Sequence, residues 1–279
     1  MAASNELRIA ILGVTGRMGQ ALVQAIDGVP RAMLAGASAS AGSRWVGQDV
    51  SAPGSGRARG VLIASSPAEA IGNANVAIDF TLPAATAANL AACESAGCPM
   101  VIGTTGHDER GQAAIASTAK RIPLVLAPNT SLGVNLLLKL SELAARVLDD
   151  NYDLEIFEAH HRHKKDAPSG TALALGRAVA AGREVSLDEV ADYARHGATG
   201  ERRRGAIGFS VFRGGDVVGD HTVTFAGIGE RVELTHRASD RMAFARGAMR
   251  AARWVQKQPA GLYSMQDVLG LKSDLKEPI

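Results

Sequence analysis

Leu7–Gly19, LRIAILGVTGRMG, is an apolar run that breaks into three glycines spaced G-x-x-G-x-x-G, at Gly13, Gly16 and Gly19. A short continuous apolar run closed by glycine is the pattern of a strand buried on both faces, as in a parallel sheet. The residues that follow, Arg17–Ile26, place Met18, Leu22, Val23 and Ile26 at helical spacing. A glycine turn from strand into helix presents backbone N–H groups at the positive helix end, where a pyrophosphate binds. Thr15 stands where the second glycine of the usual fingerprint falls, so the turn by itself also fits a plain strand–helix connection. Its position directly after the first strand favours the dinucleotide reading.

Outward from this turn the alternation repeats. Ala32–Ala37, Val76–Phe80, Met100–Ile102 and Leu124–Leu126 are further short apolar runs, with helical stretches at Ala84–Ser95 and Asp108–Lys120. Strands alternating with helices predict βαβ crossovers and an α/β fold with a Rossmann-like doubly wound parallel sheet. Residues 38–60 are rich in Ser, Gly and Ala and read as loop. Beyond Pro128 the pattern changes. Leu132–Leu148 is a long amphipathic helix, Asp153–Ala159 alternates like a half-exposed strand, and Ser169–Ala181 is helical. Ile207–Arg213, His221–Ala226 and Arg231–Arg237 read as antiparallel strands, and Met242–Val255 as a closing helix. The boundary is expected near Asn129, with residues 1–129 as the dinucleotide-binding domain and an α+β mixed-sheet domain over 130–240.

Bulk properties exclude several classes. The 279 residues carry 30 basic and 28 acidic groups, a net charge of +2, which gives no electrostatic case for a nucleic-acid or membrane partner. The one dense basic run, Arg202–Arg204, is expected in an exposed loop. Aromatic content of 4% predicts a core of small and branched aliphatics. Cys93 and Cys98 fit no zinc spacing and are too few for a disulfide framework, so buried thiols in a reducing cytoplasm are expected. MAASNELRIA lacks the features of a signal peptide, and no apolar run approaches the roughly 20 residues that span a bilayer.

The segment Ala159–Thr171, AHHRHKKDAPSGT, carries the chemistry. Three histidines and two lysines lie at a strand end, and after Asp166–Pro168 the residues Ser169, Gly170 and Thr171 open a helix that offers N–H donors to an anion. If the segment stays extended, His160, Arg162 and Lys164 share one face. A proton donor among cations suits a carboxylate substrate protonated as hydride arrives. A metal site, a solvated basic strand end and a nucleic-acid patch compete; adjacent cations disfavour the first and missing aromatics the last. No metal is expected.

Dinucleotide sites often place an acid roughly 20 residues past the turn, on the ribose 2′-hydroxyl. Here no acid occurs from Arg31 to Gln48. Without that repulsion, and with Arg17 or Arg44 to meet a 2′-phosphate, NADPH is expected to be accepted at least as readily as NADH.

AHHRHKKDAPSGTA together with GRMG resembles the bacterial 4-hydroxy-tetrahydrodipicolinate reductase family of lysine and diaminopimelate biosynthesis. AIDFT (77–81), VIGTTG (101–106), NTSLGVN (129–135), GERVELTHRASDRMAFA (229–245) and GLYSMQDVL match as well, nearly end to end. The resemblance implies NAD(P)H-dependent reduction giving tetrahydrodipicolinate, with NADPH or NADH as cofactor and a small dicarboxylate as substrate. It implies a cytoplasmic homotetramer whose second domain makes the tetramer contacts and whose residues 241–279 return to the first domain. Carried over by motif, His160 is the catalytic proton donor or acceptor and Lys164 the second donor, and His161, Gly170 and Thr171 bind substrate. Cofactor contacts fall to Gly13, Val14, Thr15, Gly16, Arg17 and Met18, to Ala39 and Ser40, to Gly103, Thr104 and Thr105, and to Ala127, Pro128, Asn129 and Thr130. Arg241 is placed near the closed site. The sequence departs from the family pattern in two places: Ala39 and Ser40 replace an acid–arginine pair, and Thr130 replaces a phenylalanine. Another two-domain dehydrogenase and a nucleotide-sensing regulator are the rival readings; a sensor has no need of the His/Lys segment.

Overall fold

In the computed structural model, which describes residues 6–54 and 56–272, the opening apolar run is strand β1, Leu7–Leu12, and the glycine turn feeds helix α1, Arg17–Ala25. Residues 1–5, part of the stretch read for a signal peptide, and 273–279, the end of the returning segment, lie outside the described residues. The chain continues through β2 (Ala32–Ser38), β3 (Ile63–Ala64), α2 (Pro67–Ile71), β4 (Val76–Asp79) and α3 (Thr86–Ser95). Next come β5 (Met100–Ile102), α4 (Glu109–Thr118), β6 (Pro123–Leu126), α5 (Leu132–Val147), β7 (Asp153–His160) and α6 (Gly170–Gly182). The remainder is α7 (Leu187–Val190), β8 (Ala191–Asp192), β9 (Ile207–Arg213), β10 (Gly219–Ala226), β11 (Arg231–Ala238), α8 (Met242–Val255), β12 (Gly261–Tyr263) and α9 (Met265–Leu269). Two compact units result: Met1–Leu132 with Arg241–Ile279, and Gly133–Asp240.

The first unit is built on a seven-stranded parallel sheet in the order β12-β6-β5-β4-β1-β2-β3. Period-2 alternation assigns its faces. Ile9 and Ile11 of β1 join a core with α1, α8 and α9, while Ala10 and Leu12 face a second core with α2, α3 and α4. Both faces are covered, which is why these strands read as largely apolar runs. Helix α8 comes very close: a Cβ on Gly247 would sit 1.7 Å from the Thr130 carbonyl oxygen, and Ala245, Ala248, Ala251 and Ala252 are buried beside it. The strand order reverses between β1 and β4, and ligands of such sheets bind outside the carboxyl ends at that reversal.

The second unit is a five-stranded mixed sheet, β11-β10-β7-β9-β8. Its inward face (Leu154, Ile156, Ile207, Phe209, Val223, Phe225) packs on Leu175 and Val179 of α6 and Leu137 of α5. Phe225 is the one aromatic among the largest fully buried side chains. One pairing differs from the sequence reading: β9 runs parallel to β7, not antiparallel, and only β10 opposes β7 and β11. A crossover through α6 separates β7 from β9, and parallel pairing needs such a connection. The short elements β3, α2, α7, β8, β12 and α9 span two to five residues, too few to show a period. Within the loop read over 38–60, Asp49 bridges to Leu62. Arg202 is not simply solvated, since it pairs with Glu155 at 3.0 Å and Asp153 at 3.4 Å and ties its loop to β7.

Candidate active site

In the first unit the expected cofactor segments follow the carboxyl ends of β1, β2, β5 and β6. Gly13 adopts φ +83°, and a Cβ there would lie 2.9 Å from Thr81 Cγ2 and 3.0 Å from the Phe80 carbonyl oxygen. A Cβ on Gly19 would fall 2.4 Å from the Gly13 carbonyl oxygen, so α1 can start this close to the turn only with glycine there. Gly16 is exposed and caps α1 without a side-chain hydrogen bond, leaving the helix's positive end uncovered beside Thr15, Arg17 and Met18. Val14 is buried, its amide donating to the Ser38 carbonyl. An open glycine cradle at an uncapped helix start fits a dinucleotide pyrophosphate.

Gly103 is required by the Phe80 ring, which a Cβ would meet at 2.3 Å. Thr104 is buried and its hydroxyl oxygen accepts from the Thr81 amide at 3.0 Å, while Thr105 is exposed. Phe80 and Thr81 therefore join this edge, a role that the sequence reading does not assign them. The signal was their place in AIDFT at a strand end, and what makes it meaningful is contact with glycines distant in sequence. Asp79 is fully buried and holds Thr81 through Oδ1, at 2.8 Å from its amide and 2.6 Å from its hydroxyl.

Ala39 donates its amide to the Ala64 carbonyl, and Ser40 begins an exposed turn closed by the Ser43 amide at 2.8 Å. Arg44 follows, exposed, with its guanidinium 4.5 Å over the Trp45 ring. After β6, Ala127 is buried and Pro128 exposed, and Asn129 Oδ1 accepts from the Ser131 amide. Thr130 is buried and its hydroxyl donates to the Phe244 carbonyl at 2.7 Å, so its side chain is committed to α8. Arg241 stands exposed at the N-terminus of α8.

In the second unit the chemistry gathers where β7 ends. Glu158 and His160 lie two residues apart on its inward face, next to Arg213 of β9, which pairs with His160, and His221 of β10, which pairs with Glu158. Glu158 is fully buried. Its Oε2 accepts from His160 Nδ1 at 2.6 Å and Arg213 Nη1 at 2.7 Å, and its Oε1 from Arg213 Nη2 at 2.7 Å and the Ser169 amide at 2.9 Å. Burial pushes its carboxyl upward, but these donors outweigh it and hold the group down at about 2. His221 is pulled to about 3 by burial, then by the neighbouring His160, so it is neutral. Its ring meets His160 edge-on at 5.2 Å, and Ser169 Oγ lies 3.1 Å from His221 Nε2.

The segment does not stay extended past His160. The Lys164 amide donates to the His161 carbonyl at 3.1 Å, closing a turn, and Arg162 is exposed. The shared face of His160, Arg162 and Lys164 is therefore not formed, because β7's pairing ends at His160; the cation beside His160 is Arg213. Lys164 Nζ is 2.8 and 2.9 Å from the two Asp166 oxygens. His161 Nδ1 accepts from the His163 amide at 3.2 Å. Ser169 caps α6 by accepting from Ala172, and Gly170, exposed, and Thr171 form its first turn. Sequence reasoning named neither Glu158 nor Arg213. The E-x-H spacing on an alternating strand was a readable hint, whereas Arg213 becomes a neighbour only through strand pairing.

A Rossmann sheet with an open glycine turn at an uncapped helix start, and a separate unit carrying an imidazole among cations, are the frame of an NAD(P)H-dependent oxidoreductase. The family models for the N- and C-terminal parts of dihydrodipicolinate reductase match residues 7–130 and 133–269. The 4-hydroxy-tetrahydrodipicolinate reductase of Thiobacillus denitrificans is 57% identical over 267 residues, covering 96% of this chain and 100% of the relative. That of Laribacter hongkongensis is 54% identical, with 96% and 100% covered. A solved dipicolinate-bound dihydrodipicolinate reductase from Paenisporosarcina sp. TG-14 superposes with a TM-score of 0.74 at 25% identity, over 94% of this chain and 98% of that one. The chain belongs to the dihydrodipicolinate reductase family.

Proposed function

We propose that this protein reduces 4-hydroxy-tetrahydrodipicolinate to tetrahydrodipicolinate with NADPH or NADH, a step of diaminopimelate and lysine biosynthesis. The observation that carries the reading is His160, an imidazole fixed through Nδ1 beside cations and a helix start. The overall balance is substrate, NAD(P)H and a proton giving tetrahydrodipicolinate, NAD(P)⁺ and water. When bound, the reduced nicotinamide supplies the hydride that adds to the substrate ring. The first turn of α6 at Gly170–Thr171, with His161, holds a substrate carboxylate against the positive helix end. Lys164 and Arg213 stabilise the electron-rich ring that hydride addition leaves. His160, through Nε2, or Lys164 delivers the proton. Gly13–Met18, Phe80, Thr81 and Gly103–Thr105 form the cofactor site.

The same reading includes a cytoplasmic homotetramer. No helix among the described residues is long and apolar enough to cross a membrane. The outward sheet face of the second unit exposes Phe157 and Phe212 beside Thr222, Thr224 and Thr235, which suits sheet-to-sheet association. The test is loss of NADPH or NADH absorbance on adding substrate freshly generated by the preceding synthase. Stoichiometric product is expected; no turnover with either cofactor would overturn the proposal. Sedimentation equilibrium reads the assembly state.

A further inference from the structure

Glu158 accepts four hydrogen bonds, and its three donor residues come from three different parts of the site. His160 is on its own strand, Arg213 on β9 and the Ser169 amide at the start of α6. Arg213 Nη2 also donates to the Asp166 carbonyl at 2.7 Å, which ties in the loop holding Lys164. The side chain of His160 is 12% exposed, and among the described residues its Nε2 makes no hydrogen bond. Gly219 keeps that side of the ring clear: a Cβ there would stand 3.1 Å from Nε2.

We propose that Glu158, clamped by Arg213, is a positioning residue that fixes His160 as the Nδ1–H tautomer, with Nε2 aimed outward as the proton-delivering atom. The inference rests on the reading of His160 as proton donor. An ionised carboxylate accepts only, so the proton on the His160–Glu158 bond belongs to Nδ1 in both the neutral and the cationic ring. Nε2 then gains and loses the transferred proton without any rotation of the ring. A carboxylate behind a catalytic imidazole elsewhere does the same work, holding tautomer and orientation without itself taking the proton. The other ionisable or charged neighbours are Arg213, Lys164, Asp166, His221 and His236; His221 is buried and neutral, so it does not compete as a donor.

Glu158→Gln tests this without emptying the space. The amide oxygen can still accept from Ser169, and Arg213 retains the Asp166 and Phe212 carbonyls, each at 2.7 Å. The expected result is a fall in kcat of roughly 10- to 100-fold, less than the ~10²–10⁴-fold of losing a proton donor outright. Affinities for dipicolinate and NADPH should stay within about threefold. Glu158→Asp, which keeps the charge on a shorter arm, should recover part of the loss. Long-range ¹⁵N–¹H spectra of the histidines, with His160→Gln to assign the signal, read the tautomer directly. His160 should be Nδ1–H in the native protein and lose that preference in Glu158→Gln. An unchanged tautomer, or a native kcat in Glu158→Gln, would overturn the proposal. If the native protein fails to reduce the substrate, the functional reading falls while the spectra still decide the role of Glu158.

Discussion

Arg213→Met is the perturbation whose size can be worked out most directly. Arg213 makes two charge-assisted hydrogen bonds to Glu158, which has no exposed surface. Glu158 is held at about 2 against an ordinary 4.5, a gap worth roughly 3 kcal/mol of stability at neutral pH. Because the folded-state value is depressed, that stability is present above about pH 4.5 and is lost as pH falls toward about 2. Methionine fills much of the volume but leaves the carboxylate with only His160 Nδ1 and the Ser169 amide. Breaking a buried pair from one side typically costs about 3–5 kcal/mol, and two surviving donors place this case near 3.

Urea unfolding followed by circular dichroism should show that loss near neutral pH. The deficit relative to the native protein should shrink as pH approaches about 4, because an unclamped Glu158 can take up a proton instead of staying charged. The double variant Arg213→Met/Glu158→Gln should recover a large part of the loss, since no buried charge is stranded. A deficit below about 1 kcal/mol, the range of an exposed ion pair, would refute the argument. So would a deficit that does not change with pH, or a double variant no better than the single one.

His160→Gln and Lys164→Met should each lower kcat by about 10²–10⁴-fold while the calorimetric Kd for NADPH moves less than about threefold; near-native turnover in both would remove them from the chemistry. Gly19→Ala puts a Cβ 2.4 Å from the Gly13 carbonyl oxygen, so NADPH affinity should drop at least tenfold by calorimetry as the turn is displaced. With no acid between Arg31 and Gln48, kcat/KM for NADPH should equal or exceed that for NADH; a strong NADH preference would contradict the reading. Arg44→Ala should lower kcat/KM for NADPH by about 10- to 100-fold, the worth of one charge-assisted contact, and leave NADH unaffected.

The first unit was legible because its strands are buried on both faces. Largely apolar runs such as Leu7–Leu12 and Met100–Ile102 mark strands of a covered sheet, and the expected cofactor segments follow the carboxyl ends of β1, β2, β5 and β6. Phe80 and Thr81 stand in the sequence only as part of AIDFT, since their packing against Gly13 and Gly103 joins segments that no local pattern connects. The motif places Thr130 among the expected cofactor segments, and no local pattern shows that its hydroxyl donates to the Phe244 carbonyl, a partner more than a hundred positions away. In the second unit the cations of AHHRHKKD stood out by composition. The shared-face reading assumed an extended chain, and a turn at His161–Lys164 intervenes.

The misread strand direction and the missed residues have one cause. Parallel pairing puts Leu154 opposite Ile207 and His160 opposite Arg213, so the cation arrives at the site end of β7. Antiparallel pairing over the same residues would set Arg213 opposite Leu154, six positions back, or roughly 20 Å away at ~3.3 Å per residue. Glu158 would then be a buried carboxylate without a countercharge, and a fully buried lone carboxylate is pushed toward its neutral form. A neutral Glu158 could donate as readily as accept, so the protonated nitrogen of His160 would no longer be determined. The direction of β9 therefore decides more than topology: it fixes the charge of Glu158, and through that charge which nitrogen of His160 carries the proton.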